Sequence, residues 1–382
     1  MSIRRVILCT QQFGNYWSGL GAYATSLAKG LVERGIDVVV IAPVGAQRIN
    51  GVDWIEVEPA RWDFTHGNWL SLSYAFARAL KTLDADIIHF TDAREAFAYH
   101  GKIPAVGTLH DDYFARHRWW PWYYRRDYVD WIQRWAYYSI VTLLERKAFR
   151  KLTALTANSN ATAQTISKRY HIAIDKITTI YLGLDLTPQP VDEELERERL
   201  ENPKLLFVGG NMQRKGLPLV LRALKQLLPS FPNLWLQILG KNQNLGKMQH
   251  LAQKLEIQEH VDFLGWVPPD RVNDYFRRAA VFVMPSLMEG FGLVFLEAMA
   301  AGVPVIGGNV GGTKELIEDG VNGVLVEPLD FHRIIHSVEQ LLEKPNLRWE
   351  LINGGFVTLG QYDDLTTLSQ TIKFYQTYSD NC

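Results

Sequence analysis

Two glutamates, Glu289 and Glu297, enclose a glycine-rich turn and have seven residues between them. The residues that follow the first glutamate are Gly290, Phe291, Gly292 and Leu293. Glycines let backbone amides approach a ligand closely, and a helix that starts near Gly292 presents its first N–H groups and its positive dipole end to an anion. A carboxylate beside such a turn suits a polyol. The pattern therefore predicts a ligand with hydroxyl groups and a negative charge, although both glutamates could also be solvated helix residues, as most are.

A pair of cations, Arg214 and Lys215, lies in a second strand-to-helix turn at 208–216. Arginine binds a diphosphate through two parallel hydrogen bonds, and lysine supplies a point charge. A basic pair at a turn is more often only solvated. Because this pair belongs to the same predicted sheet as the Glu289 turn, the two turns together indicate a site for a phosphorylated ligand.

The N-terminal half has polar residues at the ends of two predicted strands. His110 follows the strand 104–109, and Asp92 and Arg94 follow the strand 86–90. We expect His110 at the carboxyl edge of the sheet, although a structural histidine with satisfied hydrogen bonds is the alternative. Position alone makes Asp92 and Arg94 candidates for contact with a second substrate.

Residues 116–135 are rich in tryptophan, tyrosine and arginine, with Trp119 and Trp120 adjacent to each other. Such residues settle at a membrane interface or stack against the faces of sugars. An aromatic core beneath a loop is the alternative. The composition of this stretch leaves the three possibilities open.

Short β-branched runs alternate with longer amphipathic segments in both halves, which predicts βαβ units around parallel sheets. The first set of predicted strands is 5–10, 37–42, 86–90, 104–109, 152–157 and 177–182. The second set is 204–209, 234–239, 261–265, 281–284, 303–306 and 323–326. We therefore expect an α/β fold with two Rossmann-like, doubly wound domains that face each other across a cleft, with ligands at the carboxyl ends of the strands.

The predicted domain organisation is an N-terminal domain at 1–185, a linker at 186–203 and a C-terminal domain at 204–360. The segment 187–203 carries prolines and mixed charge with few apolar residues, which is typical of a linker with a solvated helical turn. Residues 361–382 are predicted to form a helix that packs back on the N-terminal domain.

The composition is typical of a globular protein, and it lacks the net positive charge that nucleic-acid binding usually requires. The 382 residues are 47% hydrophobic and 21% charged, with a formal net charge of −1. Cys9 and Cys382 are the only cysteines, which argues against a disulfide framework and favours a cytoplasmic location. The apolar run at 6–8 is far too short for a secretory signal or a membrane span.

These motifs resemble glycosyltransferase family 4, the retaining group 1 glycosyltransferases with the GT-B fold. The glutamate pair resembles the family's E-x7-E motif, within a Gly-Phe-Gly and Glu-Ala-Met-Ala-Ala-Gly-Val-Pro-Val context. Further similar segments are Ser18-Gly19-Leu-Gly21, Ala157-Asn-Ser, Gly311-Gly-Thr-Lys-Glu-Leu-Ile and Gly320-Val-Asn-Gly. The resemblance implies an acceptor-binding N-terminal domain and a C-terminal domain that binds a nucleotide-sugar.

The resemblance also implies a role for each candidate residue. Glu297 would hold the ribose, Glu289 and the amides of Gly290 to Leu293 the donor sugar, and Arg214 with Lys215 the diphosphate. His110 would reach the sugar from the other domain, and Gly19 would let a loop close over the donor phosphate. We thus expect catalytic roles for Glu289, Arg214, Lys215 and His110, and acceptor contacts from Asp92, Arg94, Trp119 and Trp120.

The implied reaction is transfer of a hexosyl group from a UDP-sugar to a hydroxyl of a saccharide or lipid-linked saccharide, with retention. Glucose or N-acetylglucosamine is favoured as the donor sugar, and neither a metal nor a cofactor is expected. A peripheral contact with the inner face of the membrane fits such an acceptor. A GT-B epimerase or hydrolase of sugar nucleotides and a non-catalytic carbohydrate-binding protein remain as alternatives.

Some residues depart from the family pattern or mimic other motifs. Many family members have the phosphate-binding arginine directly after the strand, where this chain has Gly210. The Gly19 segment formally fits a dinucleotide fingerprint, but 11–18 separate it from the strand, and the second strand lacks the acid that ribose binding needs. Asp84 and Asp86 precede their strand, which argues against a metal-binding D-x-D motif.

Overall fold

The computed structural model describes residues 3–14, 19–111, 128–241 and 244–379, with only the backbone described at 66 and 128–135. The chain divides into two compact units. The first comprises Met1–Gly183 and Asp364–Cys382, and the second comprises Leu184–Asp363. The terminal helix is therefore part of the first unit, although the whole second unit precedes it in the sequence.

The sheet of the first unit consists of seven parallel strands in the order β3-β2-β1-β4-β5-β6-β7. These strands are β1 (Arg5–Cys9), β2 (Asp37–Pro43), β3 (Asp53–Val57), β4 (Ile87–Phe90), β5 (Ala105–Leu109), β6 (Ala154–Ala157) and β7 (Ile177–Thr179). The central strands are almost continuously buried, as expected for parallel strands with helices on both faces. The strand order reverses between β1 and β4, which makes the sheet doubly wound.

The described helices of the first unit are α1 (Gly19–Glu33), α2 (Trp69–Ala79), α3 (Tyr128–Lys151), α4 (Asn160–Tyr170) and α13 (Asp364–Ser379). Helix α13 packs on α1, where Leu368 lies against Gly30. It is also tied to the sheet, because Tyr375 Oη lies 2.5 Å from Nδ1 of the fully buried His89 in β4. The other ring nitrogen, His89 Nε2, lies 2.7 Å from Thr108 Oγ1 in β5.

The second unit has six parallel strands in the order β10-β9-β8-β11-β12-β13. They are β8 (Lys204–Val208), β9 (Trp235–Leu239), β10 (Val261–Gly265), β11 (Val281–Met284), β12 (Val305–Gly308) and β13 (Val324–Val326). The helices are α5 (Glu193–Glu201), α6 (Leu217–Leu227), α7 (Leu245–Lys254), α8 (Pro269–Arg278), α9 (Leu293–Ala300), α10 (Thr313–Leu316), α11 (Phe331–Glu343) and α12 (Pro345–Leu359). This sheet reverses its order between β8 and β11. The predicted class of two doubly wound, Rossmann-like domains is thus confirmed.

The segment 186–203, predicted as a linker with a solvated helical turn, belongs to the second unit and is anchored by buried charges. Helix α5 begins after Asp192, whose side chain accepts a hydrogen bond from Leu195 N. Glu196 accepts hydrogen bonds from Arg199 at 2.5 Å and from Arg348 of α12 at 2.7 Å. All three side chains are buried. Most charged residues of α5 are exposed, as expected of a solvated turn, whereas Glu196 and Arg199 are buried. The carboxylate of Glu196 is shared by the two guanidinium groups inside the unit, and charge patterning alone does not show such a buried pairing.

Among the described residues, none of the helices combines the length and the apolar character that a bilayer span requires.

Candidate functional site

The two turns singled out in the sequence leave neighbouring strands at the point where the order of the second sheet reverses. Strands β8 and β11 pair directly with each other. The turn after β8 leads into α6, and the turn after β11 leads into α9. The crevice at such a reversal is where open α/β sheets bind ligands. The structure therefore brings the basic turn and the Glu289 turn together in one place.

An ion pair joins the two turns. Lys215 Nζ donates to Glu289 Oε2 at 3.1 Å, and Ser286 Oγ donates to the same oxygen at 3.2 Å. The lysine and glutamate side chains are only 15% and 11% exposed. Burial by itself would raise the pKa of Glu289, but the charges of Lys215 and Arg214 and these hydrogen bonds hold that pKa below its ordinary value. Glu289 is thus a fixed carboxylate beside a fixed ammonium group.

Arg214 braces the Glu289 turn from the side of β8. Its Nη1 donates to the carbonyl oxygen of Met288 at 2.9 Å, and its own carbonyl accepts a hydrogen bond from Leu287 N at 2.8 Å. In this structure its guanidinium group therefore supports the loop that carries Glu289. The predicted contact of Arg214 with a diphosphate stays a prediction.

Glycines allow two segments of backbone, 289–292 and 311–312, to approach each other closely around Glu289. Gly292 caps α9 with a φ of 104°, which favours glycine. Gly311 has a φ of 52°, and a Cβ atom there would lie only 1.9 Å from the carbonyl oxygen of Glu289. That carbonyl also accepts a hydrogen bond from Gly312 N at 3.1 Å. Phe291, which lies between the two glutamates in the sequence, is buried. Its ring contacts the ring of Tyr362, with 5.4 Å between centroids.

Glu297 lies in the second turn of α9 and differs from Glu289 in its electrostatic environment. Burial raises the pKa of its carboxyl group to about 7, against a lowering by the Lys215 charge. Within the part of the chain that the structure describes, no protein group hydrogen-bonds to this carboxyl group. A partly buried acid with open hydrogen-bonding capacity suits the hydroxyl groups of a ligand.

In the first unit, His110 is held by residues that follow the two neighbouring strands, β4 and β6. Because a carbonyl oxygen only accepts, His110 Nε2 carries the proton of the 2.6 Å hydrogen bond to Thr91 O. Asn158 Nδ2 donates to the carbonyl oxygen of His110 at 2.8 Å. Burial lowers the pKa of His110, which the charge of Asp92 partly offsets. Nδ1 is therefore the ring nitrogen with capacity for a further hydrogen bond.

Asp92 and Arg94, predicted to contact the acceptor, are buried and bonded to each other. Arg94 Nε donates to both carboxylate oxygens of Asp92, at 2.9 and 3.0 Å. Asp92 also caps the 3₁₀ helix Ala93–Ala96 through the backbone N–H of Arg94. Both side chains therefore have structural tasks that position at a strand end did not reveal. Their acceptor contact stays a prediction.

The remaining predicted residues fall at the limits of the described chain. Gly19 is the first residue of α1, directly after the undescribed segment 15–18. Trp119 and Trp120 lie outside the described residues. Sequence reasoning missed Ser286 and Met284, which contact Glu289 and Lys215, because neither carries a motif of its own. Within the described ranges, no three His, Cys, Asp or Glu residues gather as metal ligands would.

Comparison with known proteins places this chain among the glycosyltransferases. The family model described as Glycosyltransferase Family 4 matches residues 17–188, and the model described as Glycosyl transferases group 1 matches residues 190–356. An uncharacterized glycosyltransferase of Methanocaldococcus jannaschii is 28% identical over 371 residues, or 88% of each chain. The structure of WaaG, a glycosyltransferase involved in lipopolysaccharide biosynthesis, matches with a TM-score of 0.77 and 20% identity over 97% of this chain and 99% of that one. Anabaena HepE in complex with UDP-glucose matches with a TM-score of 0.74 and 17% identity over 97% and 99% of the two chains.

Proposed function

Because the chain belongs to the group 1 glycosyltransferases with the GT-B fold, we propose that it transfers a hexosyl group from a UDP-sugar to an acceptor hydroxyl with retention of configuration. The acceptor is a saccharide or a lipid-linked saccharide. The observation that carries this proposal is the ion pair of Lys215 and Glu289 at the strand reversal of the second sheet. In this proposal Lys215 binds the diphosphate, and Glu289, within hydrogen-bonding distance of it, binds the sugar.

The activation barrier of the reaction depends on how well the protein stabilises the negative charge of the departing UDP. Lys215 and the backbone N–H groups at the start of α9 stabilise the negative charge that develops on the diphosphate as the glycosidic bond breaks. Donors that are already in place need no reorganisation during the reaction. Glu289, ionised because its pKa is lowered, accepts hydrogen bonds from sugar hydroxyls and orients the ring. Glu297 accepts hydrogen bonds from the ribose, so the two carboxyl groups define the two ends of the donor.

The preference for UDP-glucose or UDP-N-acetylglucosamine rests on the family resemblance and on HepE, whose structure contains UDP-glucose. A lipid-linked acceptor is supported by WaaG, a protein of lipopolysaccharide biosynthesis. Such an acceptor would require a peripheral contact with the cytoplasmic face of the membrane, for which the aromatic and basic residues at 116–135 are the candidates. Sedimentation with anionic vesicles that do or do not contain a lipid-linked saccharide tests this contact.

A donor screen tests the proposal directly. UDP-, GDP- and ADP-sugars are incubated with the protein, and released nucleotide is measured with and without saccharide acceptors. We expect nucleotide release from a UDP-hexose that depends on the acceptor. Conversion of the donor without an acceptor would identify an epimerase or a hydrolase, and binding without turnover would identify a carbohydrate-binding protein.

We also predict that transfer continues in EDTA. The positive charges of Lys215 and of the α9 N-terminus take the role that a divalent cation has in metal-dependent transferases. The measurement is the rate of UDP release before and after chelation, followed by addition of Mn²⁺. Activity that is lost in EDTA and restored by Mn²⁺ would contradict the prediction.

A further inference from the structure

We propose that the second unit carries a separate saccharide-binding groove at the amino ends of β8, β9 and β10. The groove has a volume of about 630 Å³ and is bordered by α5 and by the end of α8. This volume lies within the range of about 300–1,000 Å³ that is usual for small-molecule sites. Strands rise about 3.3 Å per residue, so roughly 15 Å of strand separate the groove from Lys215 and Glu289 at the opposite ends.

One face of the sheet supplies the floor of the groove. Trp235 and Gln237 alternate along β9 and therefore point to the same face. Lys204 of β8 is in register with Trp235, and Asp262 of β10 is in register with Gln237. An indole, an amide, an ammonium group and a carboxylate thus share a face that in most of this sheet is apolar.

Trp235 is exposed but held in place. The residue is 39% exposed, and its ring lies 5.8 Å from the ring of His260, centroid to centroid. His260 Nδ1 in turn donates to the carbonyl oxygen of Leu234 at 3.1 Å. An aromatic ring fixed in this way loses little conformational freedom on binding. Its apolar face matches the apolar face of a sugar ring.

The polar groups of the groove match hydroxyl groups. Gln237 Nε2 donates to Asp262 Oδ2 at 3.2 Å, which fixes both side chains. Asn202 and Asn233 add two exposed amides at the rim. Each amide offers donors and acceptors side by side, as hydroxyl groups require, whereas a phosphate needs donors alone.

The charge balance also favours a neutral ligand. Lys204 and Arg278 offset Glu198 and Asp262 along the lining of the groove. The fifth charged residue of the lining is Arg199, whose guanidinium group is buried and donates to Glu196 and to backbone carbonyls. No net positive charge remains to attract a phosphate or a polyanion. A neutral oligosaccharide is therefore the ligand class that fits the groove.

Calorimetric titration of the full chain with maltopentaose, cellopentaose and chitopentaose tests the proposal. Each titration is carried out with and without UDP, and the affinity for UDP is measured in parallel. We expect at least one pentasaccharide to bind in the presence of UDP, and Trp235→Ala to weaken that binding about tenfold or more. Gln237→Ala should weaken it as well. Trp266→Ala is the matched control, because Trp266 is 49% exposed in the same unit but does not line the groove.

Three results would overturn the proposed saccharide binding. The first is no pentasaccharide binding by the unaltered protein, and the second is an equal loss of affinity in the Trp235 and Trp266 variants. The third is displacement of the pentasaccharide by pyrophosphate. The proposal does not rest on the donor reaction, because the groove and Glu289 lie at opposite ends of the strands. Pentasaccharide binding that depends on Trp235, in a protein that binds no UDP, would refute the proposed function and leave the groove supported.

Discussion

Glu289 and Glu297 have only seven residues between them, yet the protein shifts their pKa values in opposite directions. Lys215, Arg214 and Ser286 hold the pKa of Glu289 low against its burial, whereas burial dominates at Glu297 and raises its pKa to about 7. Glu289 is therefore a permanent carboxylate that is bonded to the protein. Glu297 keeps its hydrogen-bonding capacity for a ligand, and the two residues should fail in different ways when they are replaced.

We predict that Glu297→Ala weakens UDP binding about tenfold or more, because a hydrogen bond to a charged group contributes about 1.5–3 kcal/mol. Glu289→Ala should leave UDP binding nearly unchanged and lower the transfer rate by a similar factor. Calorimetry with UDP and transfer rates at saturating donor measure the two effects. A Glu289→Ala protein with weak UDP binding and normal turnover would reassign Glu289 to the nucleotide.

The raised pKa of Glu297 predicts a pH-dependent loss of stability. Between its ordinary value of 4.5 and about 7, the folded protein keeps a proton that the unfolded chain has lost. The free energy of unfolding contributed by this group therefore falls as the pH rises through that interval and is constant above it. Glu297→Gln removes the titration, so its stability should fall less over the interval than that of the unaltered protein. Urea unfolding at several pH values measures this difference, and equal slopes would contradict it.

Residue types and spacing predicted much of the candidate site, but not the partners within it. Glycines and adjacent cations at strand ends indicated Glu289 and Lys215, because such positions meet at one edge of a sheet. The support that Arg214 gives to the loop depends on where its guanidinium group points in three dimensions. Asp92 and Arg94 illustrate the same limit, because a strand-end position does not distinguish an exposed side chain from a buried pair.

At the scale of elements, the glycine turn at 311–312 fixes the position of the Glu289 backbone. We predict that Gly311→Ala destabilises the protein and lowers transfer, because the new Cβ atom would meet Glu289 O at 1.9 Å. Gly320→Ala is the matched control. Its φ of 78° is also positive, but a Cβ atom there meets nothing within 4 Å. Backbone strain of about 1–3 kcal/mol is common to both variants, so a larger loss of melting temperature and activity at 311 isolates the steric contact. Equal losses in both variants would refute it.

Helix α5 offers a second matched pair. Glu196→Gln leaves the buried guanidinium groups of Arg199 and Arg348 without their shared carboxylate, so we expect a destabilisation of about 3–5 kcal/mol. Arg197→Gln on the same helix removes only exposed ion pairs, and we expect about 0–1 kcal/mol. Chemical denaturation monitored by circular dichroism compares the two. Similar effects would mean that the buried network contributes little.

Most strands could be predicted because parallel strands form short, continuously apolar runs between amphipathic helices. Strand β3 was missed, since it lies at the edge of its sheet and its residues are only partly buried or exposed. Its sequence Asp-Trp-Ile-Glu-Val lacks the apolar continuity of the central strands. The predicted strand ends also differed by a few residues, for example 303–306 against the observed Val305–Gly308. Apolar runs continue past the last ladder hydrogen bond, so composition alone does not fix such ends.

At the scale of the whole molecule, the sequence indicated two α/β domains from their two separate sets of strands. Along the chain, the boundaries between the observed units lie between residues 183 and 184 and between residues 363 and 364. The second boundary is where the chain returns to the first unit with α13. The sequence of this helix has little amphipathic pattern to show which unit it joins. We nevertheless expected a helix at 361–382 on the N-terminal domain, and α13 contacts the first unit through pairs such as Tyr375 with His89 and Thr367 with the carbonyl oxygen of Tyr181.

The place of α13 in the chain also determines the order in which the protein is completed on the ribosome. All of Leu184–Asp363 is synthesised before Asp364–Ser379. The second unit therefore has all of its residues while the first, although begun earlier, still lacks the helix that supplies Tyr375 to the buried His89. Domains of a growing chain usually finish in sequence order from the N-terminus. Here that order is reversed, because the first unit is the last to have all of its residues synthesised.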